Sequence, residues 1–244
     1  MKKIAIIGSG NVAFHLSRAL KETDYEIQMI NPRSLDGLSD DFDLILIAVT
    51  DTIIEEISGR IADKLVRFNG IVTHTAGTVE MKVFAKYFDN YGVIYPLQTF
   101  NKDLEISNYR QIPVFIEGNS KETVDKIYKI ISNKFENCVQ YSSEQRKTLH
   151  LASVFACNFV NAMYSVSEEI LNDNDIPYEY IKPLIEYTCF KAIRNNPSDI
   201  QTGPAKRGDI GVIKAHIKEL ADKPEILNLY QTITSFLLKK YGHE

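Results

Sequence analysis

Near its start the chain reads KIAIIGSGNVAFHL, residues 3–16, where an apolar, β-branched run stops at Gly8 and a helical pattern begins at once. An apolar run without alternation is how a strand buried on both faces of a parallel sheet reads. Gly8 permits a tight turn out of that strand. Gly10 has no side chain, so a phosphate can come close to the backbone. Ala13 stands where a small residue is needed for the helix to pack on the strand. Val12, Leu16 and Leu20 then repeat at helical spacing. The helix start offers free N–H groups and a positive dipole end to an anion. Any glycine turn between a strand and a helix could carry G-x-G-x-x-A. Here strand, glycines, helix and a second strand, YEIQMI, follow in order, which predicts a dinucleotide site held by Gly8, Ser9, Gly10, Asn11 and Val12.

The second strand ends in NPRS, residues 31–34. A site selective for NAD usually carries a carboxylate here to hold the ribose 2′-hydroxyl. Asn31 stands there instead, with Arg33 and Ser34 just beyond. A carboxylate would repel a 2′-phosphate, whereas Asn31, Arg33 and Ser34 would bind one. This chemistry favours NADP over NAD. The same residues also fit an Asn-Pro turn with a solvated arginine.

FDLILIAV, residues 42–49, is another buried strand. Only about a dozen residues separate it from Asn31, too few for a helix and a strand, so the first half of the nucleotide fold is abbreviated. DTIIEEISGRIADKL reads as a helix broken at Gly59. GIVTHTAG is a strand with its turn, and VEMKVFAKYF a helix. YGVIYPL and IPVFIEG complete the strands, and KETVDKIYKIISNKF is an amphipathic helix. This alternation predicts an α/β fold with a Rossmann-type, mainly parallel sheet. Ligands in such sheets bind beyond the carboxyl ends of the strands. Ala48 and Val49 in AVTDT, and Thr75, Gly77 and Thr78 in THTAGT, therefore face the cofactor. Gln98 and Thr99 in YPLQTF could reach a substrate, and ordinary turn chemistry accounts for each of these loop residues equally well. His74 reads as a packed or capping histidine.

From about Ser142 the strands stop and helices follow, which places a nucleotide-binding domain at 1–141 and an all-α domain at 142–244. The first helix of that domain has no Asp, Glu, Lys or Arg between Thr148 and Ser167. One side is apolar. The other carries Arg146, His150, Cys157, Asn161 and Tyr164, with Ser153 and Asn158 on its edges. A face of uncharged hydrogen-bonding groups predicts a helix buried all round, its polar stripe turned either to other protein groups or to a polar substrate. Further on, TGPAKRGD holds Lys206 and Arg207 between glycines. Asp209 is a good N-cap for the helix that follows. Arg207 is a candidate for an acidic group of a substrate.

The chain has 244 residues, a net charge of -4 and three cysteines, none close in sequence to another. The charge argues against a broad nucleic-acid surface. The cysteines suggest neither a disulfide framework nor a metal site, and a reducing cytoplasm fits them. The apolar run at the start ends too soon for a signal peptide, and the long helix carries too many polar groups for lipid. There is no nucleophile-elbow or metal-ligand signature.

The order GSGNVA, NPRS, ILIAV, HTAG, YPLQTF resembles pyrroline-5-carboxylate reductase and the NADP-dependent, deazaflavin-linked oxidoreductases. YPLQTF, RKTLHLASVFACNFVN and GPAKRGD are similar to an uncharacterised bacterial family. It pairs a Rossmann domain with a helical domain like the C-terminal domains of 6-phosphogluconate dehydrogenase-like enzymes. The resemblance implies a two-domain NADP-dependent oxidoreductase, dimeric through its helical domain. It does not imply the substrate. The SPGGTT-like loop of pyrroline-5-carboxylate reductase is replaced by GPAKRGD. The lysine-and-asparagine helix motif of β-hydroxyacid dehydrogenases is missing, with His150 and Asn158 or Asn161 on similar helical ground. The expected reaction is hydride transfer between NADP(H) and a small carbonyl or imine compound. His150 is the candidate acid/base, the alternative being a structural histidine hydrogen-bonded within the helical domain and far from any ligand; Asn158 and Asn161 are the candidates to orient the substrate and Arg207 to bind an acidic tail. The alternative is a non-catalytic NADP sensor acting through a partner.

Overall fold

The computed structural model describes residues 2–21 and 23–243. By compactness the chain falls into two units, one ending at Asn158 and one beginning at Phe159.

The first unit is built on a seven-stranded sheet of order β2-β1-β3-β4-β5-β6-β7. The strands are β1 Lys2–Ile7, β2 Tyr25–Ile30, β3 Leu44–Ile47, β4 Ile71–His74, β5 Tyr91–Pro96, β6 Val114–Gly118 and β7 Cys138–Gln140. Every pairing is parallel except that of β5 with β6. Alternate residues of β1 feed two cores. Ile4 and Ile6 pack with α1 (Asn11–Lys21) and α3 (Lys121–Ile131), while Ala5 and Ile7 pack with α2 (Ile54–Lys64). The chain leaves β1 for β2 on one side and returns to β3 on the other. The carboxyl ends of β1 and β3 therefore form the switch point where such sheets bind ligands.

No helix joins β2 to β3. Leu35, Leu38 and Phe42 from the connecting loop are buried where a helix would lie. Three elements differ from the sequence-based expectation. Gly59 does not break α2; its bare backbone lies against the Tyr87 ring, where an added Cβ would sit 3.4 Å from the hydroxyl. VEMKVFAKYF makes only a 3-10 turn, Met81–Phe84, which sinks Phe84 into the core. The short edge strand β7 has too little pattern of its own to be read from sequence.

The strands end before Ser142, as expected, yet α4 (Ser143–Ser153) belongs to the first compact unit. It opens with a capping box between Ser142 and Gln145 and continues into a π-helical stretch, Val154–Asn158. The second unit comprises α5 (Phe159–Asn172), α6 (Lys182–Arg194), α7 (Pro204–Arg207), α8 (Ile210–Glu219) and α9 (Pro224–Lys240). Its buried set is small: Ala205, Ile213, Leu220 and Thr234. Tyr180, Leu184, Ile193 and Phe236 are all more than 60% exposed, at 74, 64, 76 and 63%. The helical run Ser143–Asn172 is long and apolar enough to cross a membrane, by length and composition alone. The expected all-round burial of that helix is not met within one chain, where Leu151 and Phe155 are exposed.

Candidate active site

The turn after β1 is built as its glycines require. Gly8 has φ +144°, and a Cβ there would lie 2.1 Å from the Ala48 carbonyl oxygen, so the ends of β1 and β3 can abut only through glycine. The same absent Cβ lies 3.4 Å from Ala13 Cβ, which is fully buried where α1 meets the sheet. At Gly10 an added Cβ would meet nothing within 4 Å, so the backbone there is open to a ligand. Gly8, Ser9, Gly10, Asn11 and Val12 line a cleft of about 530 Å³ together with Ala48, Val49 and Thr75. These predicted cofactor residues are thus gathered into one place. The Asn11 side chain also accepts a hydrogen bond from the Lys102 N–H at 3.2 Å.

Asn31 and Arg33 border the same region. Asn31 makes the Asn-Pro turn, its Oδ1 accepting the Arg33 N–H at 2.9 Å and its carbonyl accepting the Leu35 N–H at 2.9 Å. Ser34 Oγ accepts the Asp36 N–H at 3.3 Å, so this side chain supports the turn. Arg60 of α2, not singled out in the sequence, lines the cleft beside Pro32 and Arg33.

Beyond Thr75 the loop after β4 reaches Gly77, and there the His150 ring packs. A Cβ on Gly77 would lie 2.5 Å from His150 Nδ1. Nδ1 is hydrogen-bonded to the Tyr95 hydroxyl of β5 at 2.9 Å. Burial pushes the Tyr95 phenol above its ordinary pKa, which keeps it neutral. One turn before His150, Arg146 is 1% exposed and pairs with Glu117 of β6. Glu117 also accepts from the Ser143 N–H at 2.9 Å and the Ser143 hydroxyl at 2.8 Å, and Arg146 donates to the Val79 carbonyl. A buried carboxylate thus fixes the start of α4 on the sheet and aims His150 at Gly77. His74 is the capping histidine that its position suggests. It is fully buried, its Nδ1 accepts the Ala76 N–H at 3.1 Å, and burial, reinforced by the Arg146 charge, pulls its pKa down to about 3.

Gln98 folds onto its own loop, its Oε1 accepting the Thr99 N–H at 2.8 Å. The segment beyond it is pinned to α1, where buried His15 bonds Tyr109 Oη and the Asn101 carbonyl, each at 2.8 Å, and stacks on Phe100. Thr78 donates to Asp51. Asn158 is exposed in the π-helical stretch of the first unit. Asn161 and Arg207 are exposed residues of the second unit. Among the described residues no cluster of three or more His, Cys, Asp or Glu side chains is arranged to hold a metal.

Residues 112–236 match the profile of a domain of unknown function, DUF2520. The chain belongs to this family. It is 32% identical to a Bacteroides fragilis protein of known structure described as a "putative NADP oxidoreductase", over 98% of each chain, with a TM-score of 0.90. A Thermotoga maritima protein of known structure is 21% identical over 98% of both chains, with a TM-score of 0.71. The 1-pyrroline-5-carboxylate reductase of Streptococcus pyogenes is 16% identical, covering 98% of this chain and 97% of its own, with a TM-score of 0.59. At that identity the likeness shows a shared fold: the Rossmann-type sheet followed by helices. No curated protein matches the sequence.

Proposed function

We propose that this protein is an NADP-dependent oxidoreductase that transfers a hydride between NADP(H) and a small carbonyl or imine compound bearing an acidic group. The observation that carries the reading is the position of His150. Its ring lies against Gly77, two residues along the loop from Thr75 of the nucleotide cleft. Gly10, Arg33 and the uncharged Asn31 suit a dinucleotide with a 2′-phosphate. When bound, NADPH supplies the hydride.

The chain's own residues supply the proton. The Tyr95 hydroxyl, its pKa raised by burial, is hydrogen-bonded to His150 Nδ1 and holds the ring so that Nε2 is left for the substrate. Nε2 of the protonated ring gives its proton to the oxygen or nitrogen on which charge develops, leaving a neutral imidazole. The Arg146–Glu117 pair keeps the ring in place. Asn158 orients the substrate. In this reading residues 1–141 hold the cofactor, and 142–244 provide substrate contacts and a homodimer interface. The exposed apolar side chains of α5, α6 and α9 support the dimer, because so much apolar surface is unusual on a free monomer. Three free cysteines support a cytoplasmic location.

The test is a thermal-shift screen with NADPH present, adding small keto and imino acids singly, followed by turnover of any that bind. His150→Gln should keep NADPH binding and lose about 10²–10⁴-fold in turnover. Unchanged turnover would reject His150 as the proton donor.

A further inference from the structure

The loop that replaces the missing helix between β2 and β3 has little regular structure to hold it, yet it carries Arg33. Two cations one helical turn apart on α2 grip it from the side. Arg60 Nη1 donates to the Pro32 carbonyl at 2.9 Å, and Nη2 to the Arg33 carbonyl. Lys64 Nζ donates to the Leu35 carbonyl at 2.6 Å. Arg60 differs from Lys64 in that it also lines the nucleotide cleft, beside Pro32 and Arg33.

We propose that Arg60 is a specificity-determining residue for the ribose 2′-phosphate, acting by bracing the Pro32–Arg33 backbone and by its own charge. The inference rests on the NADP reading above. Three features support it. The two carbonyls that Arg60 engages are acceptors no longer presented to a phosphate, which needs donors. A phosphate monoester carries close to two negative charges at neutral pH, more than one arginine neutralises. Arg33 and Arg60 are the cations lining the cleft, and Glu56, whose Oε1 is 4.0 Å from Arg60 Nη1, is the opposing anion. Finally, a planar fork is needed to reach two successive carbonyls and still face the cleft, a geometry that lysine cannot reproduce.

The experiment titrates NADPH and NADH by nicotinamide fluorescence into the full-length wild type and the Arg60→Ala, Arg60→Lys and Lys64→Ala variants, each checked for folding by circular dichroism. Arg60→Ala should weaken NADPH binding about 10- to 100-fold, the worth of a charge-assisted phosphate contact, with NADH affinity within about threefold of wild type. Arg60→Lys keeps the charge but not the fork and should fall between the two. Lys64→Ala, which loosens the loop outside the cleft, should leave the NADPH-to-NADH ratio unchanged. Equal losses for both cofactors in Arg60→Ala, or a shifted ratio in Lys64→Ala, would overturn the proposal by reducing Arg60 to a loop support. A wild type that binds NADH as tightly as NADPH would overturn the NADP reading itself, whatever Arg60 does.

Discussion

Replacing His74 with asparagine should make the first unit less sensitive to acid. His74 is fully buried, and its pKa falls from the ordinary 6.5 to about 3 through burial first and the Arg146 charge second. In the unfolded chain the imidazole takes up a proton once the pH drops below 6.5; in the folded protein it refuses one until about pH 3. The unfolded state therefore binds more protons throughout that window, and stability falls as the pH falls, by about 1.4 kcal/mol per pH unit. Above 6.5 both states are neutral and the contribution is level. By about pH 4.5 the loss attributable to His74 is about 2.7 kcal/mol. Asparagine does not titrate, and its Oδ1 can still accept the Ala76 N–H. Urea unfolding followed by far-UV circular dichroism, at several pH values between about 7.5 and 4.5, checks this. Carboxylate titration is common to both proteins and cancels in their difference. The stability gap between wild type and His74→Asn should move by about 2.7 kcal/mol in favour of the variant across that range. Parallel curves would refute the reasoning and mean that His74 is solvated or charged in the folded protein.

Glu117→Ala leaves Arg146 buried without its carboxylate and should cost about 3–5 kcal/mol in urea unfolding at neutral pH. Gly8→Ala places a methyl 2.1 Å from the Ala48 carbonyl oxygen and should lower the melting temperature as well as NADPH affinity. Gly10→Ala meets no protein atom within 4 Å, so it should melt like wild type and lose NADPH affinity alone, as read by calorimetry. Sedimentation equilibrium at micromolar concentration should give about twice the chain mass of 27.8 kDa, and a mass near the single-chain value would count against the dimer.

The turn after β1 and the cleft it lines were legible because their determinants are local. Gly8, Gly10 and Ala13 act within one strand-turn-helix segment, and each demand, a positive φ, an open backbone or a small contact, falls on a residue type visible in the sequence. The Asn31 turn was legible for the same reason, since Oδ1 bonds only two residues on. His74 needed one neighbour, Ala76. The short strand β7 and the 3-10 turn at Met81–Phe84 escaped because three or four residues do not repeat a period often enough to reveal it.

What the sequence determined by itself was the class of fold, the strand-glycine-helix turn and the Asn31 turn, all of them set by neighbours along the chain. The partners of His150 and Arg146, and the grip of Arg60, were decided by tertiary structure. Tyr95 and His150 are 55 positions apart, Glu117 and Arg146 are 29 apart, and Pro32 and Arg60 are 28 apart. Residue patterning reports which face of an element is apolar. It does not report which two faces meet. That is fixed by the order of β4, β5 and β6 in the sheet and by a buried carboxylate that draws the start of α4 onto it, because an arginine taken out of water must find its counter-charge wherever the fold has placed one.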